Sequence, residues 1–317
     1  MGSPPAVGVH ARPYRNDEAD WRAVRRLLIE TFEVVPPQWN WDIRRWDGWR
    51  FHNAEPVIPS TLAAGIGVWE DDEGRIIGVV HPEGGGDAYL ELRPDHRALE
   101  HHMLAWAEAH LAVPGGDGRP RVESACRDDD AVRRGLLEAR GWTPTDDAWW
   151  WRRLDLGSVA PRRAPPVAGG YRLAATGSAT EGRDAVRMAA LLNAAFGRSI
   201  HTPAEYRTFM RRSPSFRHDL NLVAIAPDGS FAAHVGLTYD EENRHGIVEP
   251  VCTHPGHRRR GLARTLLVEG VERLRAAGAR TAGVETGANP EANALYAACG
   301  FTDAHAGRVW RWTAPGT

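Results

Sequence analysis

Two stretches of this chain, roughly 160 residues apart, follow the same pattern, a period far too long for a solenoid unit. Tyr14-Arg15 opens the first stretch and Tyr171-Arg172 the second. Each continues into an apolar-periodic helix, DWRAVRRLLIETF and DAVRMAALLNAAF. Leu27, Leu28 and Phe32 are expected on one face of the first helix, and Leu191, Leu192 and Phe196 on one face of the second. Glycine turns at Glu73-Gly74 and Asp228-Gly229 precede the strand segments RIIGVVH and FAAHVGLTY. Second strands follow as AYLEL and GIVEPVC, then helices as LEHHMLAWAEAHLA and LARTLLVEGVERLRAA. Both stretches close on a short helix, a Gly-aromatic step and a last strand, DDDAVRRGLLEARGW…AWWWRRL and ANPEANALYAACGF…RVWRW. A duplicated α+β domain is the expectation.

Between them lies LDLGSVAPRRAPPVAGG, rich in proline and glycine and poor in core formers, which reads as an extended linker. The expected division is a first domain over 10–156, a linker over 157–170 and a second domain over 171–314. The 317 residues are about twice a typical domain and agree with it. With 39 basic against 41 acidic residues, no broad nucleic-acid surface is indicated. No apolar run reaches membrane-spanning length, and MGSPPAVGVHARP has no hydrophobic signal core. Cys126, Cys252 and Cys299 match neither a zinc nor a disulfide framework, so a cytoplasmic protein is expected, without a metal.

The sharpest motif is His254-Pro-Gly-His-Arg258-Arg-Arg-Gly261-Leu-Ala263, which follows a strand and opens a helix. Gly261 permits an unusual dihedral and a close backbone approach, and Ala263 is too small to block a ligand. The unpaired N–H groups of the helix start converge where the helix dipole favours anions. Arg258, Arg259 and Arg260 add positive charge, so the chemistry suggested is diphosphate binding, with a solvated basic loop as the bland alternative. Neither a P-loop ending nor a Rossmann glycine pattern is present.

Arg258-Arg-Arg-Gly261-Leu-Ala263 resembles the acyl-CoA signature of the GNAT superfamily of acyl-CoA-dependent N-acyltransferases. Asn289-Pro-Glu-Ala-Asn293-Ala-Leu295-Tyr296-Ala-Ala-Cys-Gly300-Phe301 resembles its late signature. The likeness covers about Tyr171 to Trp312, and the first half resembles a worn copy, so the whole looks like a tandem GNAT protein. The resemblance implies that each domain is a mixed, mostly antiparallel sheet flanked by helices, with two central strands splayed to admit the pantetheine arm of acetyl-CoA. Pro250 inside GIVEPVCT predicts a bulge or local separation in the first of these strands. By the same resemblance, Val251, Cys252 and Thr253 offer backbone groups to the acetyl and pantetheine segments. The backbone of Arg259, Arg260, Gly261, Leu262, Ala263 and Arg264 would hold the diphosphate, and Asn289 would lie near the pantetheine arm.

In the first half Arg97 takes the place of Arg258, but Glu100 stands for Gly261 and His102 for Ala263. A carboxylate there repels diphosphate. Leu137 replaces Tyr296 and Arg134 replaces Asn293, so the first domain is expected to be structural, or to shape the acceptor pocket.

Acetyl transfer needs a neutral amine, a polarised thioester carbonyl and a proton for the departing thiolate. Tyr296 alone reads as a packing residue, and the resemblance makes it the candidate acid. Glu249 is the candidate base, or a solvent-facing carboxylate or cation binder, and the Val251 N–H the candidate oxyanion partner. Cys252 and Cys299 have no paired base and read as small apolar fillers. The resemblance implies direct transfer to a primary amine of a small molecule, with antibiotics and other natural products among the candidates. A protein or peptide amine, or a non-catalytic acyl-CoA-binding module, is the alternative. Nothing decides between monomer and homodimer. Eleven of the 13 tryptophans lie in the first 151 residues. Those in PPQWNWDIRRWDGWRFH follow the first helix, where packing is expected over an aromatic ligand surface.

Overall fold

The computed structural model describes residues 8–36, 39–167 and 169–316. Residues 1–7 of the opening segment, Pro37 and Gln38 of the tryptophan-rich segment, Ala168 of the linker and Thr317 lie outside the described residues, as do the side chains of Asp303 and Ala304. The first half runs β1 (Val9–Pro13), α1 (Glu18–Thr31), α2 (Ile43–Phe51), α3 (Ser60–Ala63), β2 (Gly67–Asp71), β3 (Ile76–His81) and β4 (Asp87–Leu92). A 3-10 turn (Pro94–Leu99), α4 (Glu100–His110), β5 (Val113–Pro114), β6 (Pro120–Arg127), α5 (Ala131–Ala139) and β7 (Thr143–Asp155) complete it. The second half runs β8 (Arg172–Ala175), α6 (Glu181–Phe196), α7 (Pro203–Arg212), β9 (Asn221–Ile225), β10 (Phe231–Asp240) and β11 (His245–Thr253). It ends with a 3-10 turn (Pro255–His257), α8 (Leu262–Ala276), β12 (Thr281–Gly287), α9 (Pro290–Ala298) and β13 (Thr302–Thr313).

These bounds follow the apolar periodicity closely. α1 starts where the Asp17 side chain accepts the Asp20 N–H, and it buries Leu27 and Leu28. α6 buries Leu191 and Leu192 and stops at Gly197, whose φ of 62° is left-handed. Phe196 departs from the expectation. As the last residue of α6 it turns off the buried face, is 43% exposed, and lies 5.2 Å from the Arg198 guanidinium.

The chain forms two compact units that differ from a simple division at the linker. The first takes residues up to Ile43, Ile58–Trp151 and His305–Thr317, and the second takes Arg44–Val57 and Arg152–Ala304. Most of α2 therefore belongs to the second unit, and most of β13 to the first. In the first unit β1, β2, β3 and β4 pair antiparallel in sequence, β4 pairs β6 in parallel, and β6 pairs β13 antiparallel. Its core includes Trp69, Ile77, Leu92, Met103, Leu104, Leu137 and Trp310.

In the second unit the strand order is β12-β11-β10-β9-β8, with β11 and β12 parallel and the other pairs antiparallel. Leu222, Leu237, Leu266, Leu267, Leu274 and Tyr296 lie in its core. A leucine buried in this way is worth about 1.5–3 kcal/mol. α8 comes very close to β10, since a Cβ at Gly270 would sit 2.5 Å from Leu237 Cδ1. That packing holds the middle of α8 against the sheet.

Candidate active site

The antiparallel ladder of β10 and β11 shifts register between Val235 and Leu237, where Glu249 and Pro250 stand opposite Gly236 alone. Pro250 lacks the N–H that a regular ladder would need, which accounts for the bulge expected at this position. A Cβ at Gly236 would lie 2.7 Å from the Glu249 carbonyl oxygen, so glycine is needed where the two backbones close in.

Beyond the bulge, the His254 N–H donates to the Ala232 carbonyl at 2.9 Å, and His234 stands opposite Cys252. Antiparallel alternation then turns the amides of Val251 and Thr253 away from β10. On that side the parallel pairing with β12 runs from His245↔Thr281 to Ile247↔Gly283. Cys252 is buried, and burial pushes its thiol up to about 12, so it stays protonated and inert.

Gly261 caps α8 with φ 76° and ψ 3°, and Arg259 also takes a positive φ of 63°. Nothing lies within 4 Å of where a Cβ at Gly261 would be. The Thr265 N–H donates to the Gly261 carbonyl at 3.0 Å, so the N–H groups of Leu262, Ala263 and Arg264 precede the helix's own ladder. Tyr171 braces the loop from β8's side: its hydroxyl is 2.8 Å from His257 Nδ1, and the Arg260 guanidinium lies 5.9 Å from its ring. Arg258 is turned to backbone carbonyls, with Nε 3.4 Å from Thr253 O and a terminal nitrogen 3.2 Å from Ala195 O. Arg259 reaches the exposed Glu291 at 3.4 Å. The His254 ring accepts the Gly256 N–H at 3.1 Å, so both loop histidines serve the turn.

Tyr296 is buried in α9, beside Phe301 at 6.1 Å. Its hydroxyl forms no hydrogen bond among the described residues. Burial, and then the charge of half-buried Glu249, pushes its phenol up to about 12. Glu249 and Tyr296 are thus electrostatic neighbours although they are 47 positions apart in the sequence. Asn289 caps α9, its side-chain oxygen accepting the N–H groups of Glu291 and Ala292 at 3.1 Å each. Asn289→Ala is expected to destabilise the second unit by about 1 kcal/mol in urea titration. Asn293 donates to the carbonyls of Gly287 and Asn289 and accepts from Arg152 Nε at 2.9 Å.

In the first unit the corresponding turn and helix carry a packed charge network. Glu100, fully buried, accepts Arg133 Nε at 2.8 Å and pairs with Arg97 at 2.8 Å. Asp130 pairs with Arg97 and accepts the Trp39 indole N–H at 2.9 Å. The Trp39 ring lies 5.3 Å from the Arg97 guanidinium and 5.1 Å from that of Arg133. Trp41 packs in the same unit between His81 and Tyr89, at 4.4 and 4.8 Å, and Trp46 is fully buried beside Trp49 in the second unit. These tryptophans pack, as their residue type suggested.

Sequence reasoning passed over the side chains that α2 brings to the second unit. Arg44 lies 4.5 Å from the Phe209 ring centre, Arg45 is 3.7 Å from Glu285, and Asp47 accepts the Ser215 hydroxyl. The one available signal was the arginine and aspartate content of WDIRRWDGWRFH. Among the described residues no three His, Cys, Asp or Glu side chains gather where they could hold a metal ion. Among them, no helix is long and apolar enough to cross a membrane.

The mixed sheet flanked by helices is a GNAT-like fold, as the likeness to solved structures shows. Residues 186–301 match the Acetyltransferase (GNAT) family. A GCN5-related N-acetyltransferase from Sphaerobacter thermophilus is similar at TM-score 0.64 and 18% identity, over 99% of this chain and 98% of that one. A tandem GNAT protein from the clavulanic acid biosynthesis pathway is similar at TM-score 0.65 and 19% identity, over 98% and 99%. A GNAT-family acetyltransferase from Colwellia psychrerythraea gives TM-score 0.58 at 13% identity, over 97% and 99%. No curated protein sequence matches the chain.

Proposed function

We propose that the second unit transfers an acetyl group from acetyl-CoA directly to a primary amine of a small molecule. The observation that carries this is Gly261: a left-handed helix cap with open space at its Cβ position, at the end of the bulged strand β11. The backbone from Arg259 to Arg264 holds the diphosphate, with Arg258 anchoring the loop through Thr253 and Ala195. Val251, Cys252 and Thr253 line the thioester and pantetheine, a reading supported by the register of β11 with β12, which runs from His245 to Ile247. Asn289 stands at the pantetheine arm.

The amine nitrogen attacks the thioester carbon while the Val251 N–H takes the developing oxyanion. The C–S bond breaks, Tyr296 gives its proton to the departing sulfur, and Glu249 takes the proton lost by the amine, directly or through water. Amide and CoA thiol leave, and the proton returns from Glu249 to Tyr296 through solvent.

The chain is taken as two copies over 10–156 and 171–314, joined by 157–170. Both halves run strand, two or three helices, three strands, 3-10 turn, helix, strand, helix and strand, with the short β5 extra in the first, which supports this. In the first copy Glu100 and its arginine partners fill the place of the diphosphate, so that copy is structural.

The test is release of CoA thiol from acetyl-CoA across a panel of primary amines. Amine-dependent release is expected. Acetyl-CoA binding without turnover on any amine would instead mean a non-catalytic acyl-CoA-binding module.

A further inference from the structure

Taking the second unit as the transferase proposed above, one buried charge bears on what it acetylates. Arg44 is 6% exposed. Its guanidinium lies against the Phe209 ring and 3.4 Å from His52 Nε2. Among the described residues no carboxylate comes within ion-pairing distance of it. Asp47, one turn along α2, is engaged by the Ser215 hydroxyl. A guanidinium held away from water ordinarily has an anion beside it, because desolvating it alone is costly.

Two more polar groups nearby lack partners. The Tyr206 hydroxyl and His234 Nδ1 are buried without a hydrogen bond, on residues 3% and 0% exposed. Buried polar atoms in a native fold are nearly always satisfied, so orphans that gather in one place point to a ligand. The cluster is contiguous. His52 stacks on Phe209 with ring centres 4.0 Å apart, and the Tyr206 ring is 5.9 Å from His52 and 6.2 Å from Phe209. His234 sits on β10 opposite Cys252 of β11, beside the segment assigned to the thioester. Half-buried His52 is where the cluster reaches solvent.

Burial, and then the Arg44 charge, holds His234 neutral, at about 3, and His52 well below its usual range. Burial raises the Tyr206 phenol, which stays a donor. His201 is matched by Glu205 at 2.9 Å. Two buried carboxylates stand near, Asp47 on the Ser215 hydroxyl and Asp184 on the Thr180 hydroxyl, and neither ion-pairs with Arg44, which keeps a planar fork suited to a carboxylate beside one hydroxyl donor.

We propose that Arg44 and the Tyr206 hydroxyl hold a carboxylate of the acceptor, so that the amine acetylated is that of an amino acid or a related zwitterion; His234, whose Nε2 donates to Asn221 Oδ1 at 3.3 Å, presents Nδ1 beside it as an acceptor only. Arg44 comes from the first half of the sequence, which gives that half a part in choosing the acceptor.

Glycine, β-alanine and 4-aminobutyrate are compared with methylamine, ethylamine and propylamine as acceptors, each amino acid against its decarboxylated counterpart. At least one amino acid is expected to exceed its counterpart in kcat/KM by about 10- to 100-fold, the range of a charged hydrogen bond. Arg44→Met should remove most of that ratio, and Arg44→Lys, which keeps the charge and loses the fork, part of it. A ratio kept in folded Arg44→Met, or a wild-type preference for the decarboxylated amines, overturns the proposal. Where Arg44→Met does not fold, Arg44→Lys and Tyr206→Phe serve the same comparison. If the chain binds acetyl-CoA and acetylates neither class, the transferase assignment fails by itself. Calorimetry of the same amino acids into the CoA-bound chain then decides the subsite: binding weakened by the Arg44 variants supports it, and absence of such binding overturns it.

Discussion

Tyr296→Phe is expected to lower kcat about 100-fold, the scale of one positioned proton donor. The loss should appear equally in kcat/KM, because a phenol in the proposed acid role is felt only as the bond to sulfur breaks and not by the bound substrate. Stability should hardly change, since the hydroxyl has no hydrogen-bond partner to lose among the described residues and the ring keeps its place beside Phe301. The pH dependence follows from the sign of the shift. Burial and Glu249 raise the phenol to about 12, so the donor stays protonated across the whole range in which an amine loses its proton. The ratio of variant to wild type should therefore be flat from neutrality to about pH 10. Steady-state rates at several pH values, with acetyl-CoA saturating, check both points. Turnover unchanged at every pH would reject Tyr296 as the acid.

What could be read from the sequence was local. The start of α8 at Leu262, the bulge at Pro250 and the left-handed Gly261 each depend on a few adjacent residues whose backbone preferences are strong. Helix and strand periods gave α1, α4, β3, β10 and β11 to within one or two residues. The assembly of the units was not local. Helix α2 and the residue after it join residues some 160 positions away, as when Phe209 stacks on His52 and Ser215 meets Asp47. An arginine in a tryptophan-rich stretch looks the same in sequence whether it is solvated or buried. Only the fold shows that Arg44 has lost both water and a carboxylate partner. Phe196 makes the converse point, because apolar character alone did not fix which way the end of α6 would turn.

Gly261→Glu is expected to weaken acetyl-CoA binding at least about 100-fold while leaving the chain folded. Two effects add. A side chain at φ 76° carries strain of about 1–2 kcal/mol, which lowers stability. The added atoms and charge also enter the open space beside the helix start, where the diphosphate is assigned. The first unit shows what a carboxylate does at such a helix start when it is built in. Glu100 draws Arg97 and Arg133 into a buried network, and the turn becomes part of the core. At Gly261 the new carboxylate would compete with the diphosphate for Arg259 and Arg260, the two cations that precede it in the loop. Gly261→Ala separates the strain, because it adds a Cβ without charge. Gly261→Gln separates size from charge, and its difference from Gly261→Glu should shrink as salt rises. Calorimetric titration with acetyl-CoA and thermal melts of the three variants measure the terms independently. If folded Gly261→Glu bound acetyl-CoA as wild type does, the diphosphate would have to lie elsewhere, and the start of α8 would be no more than a basic loop in water.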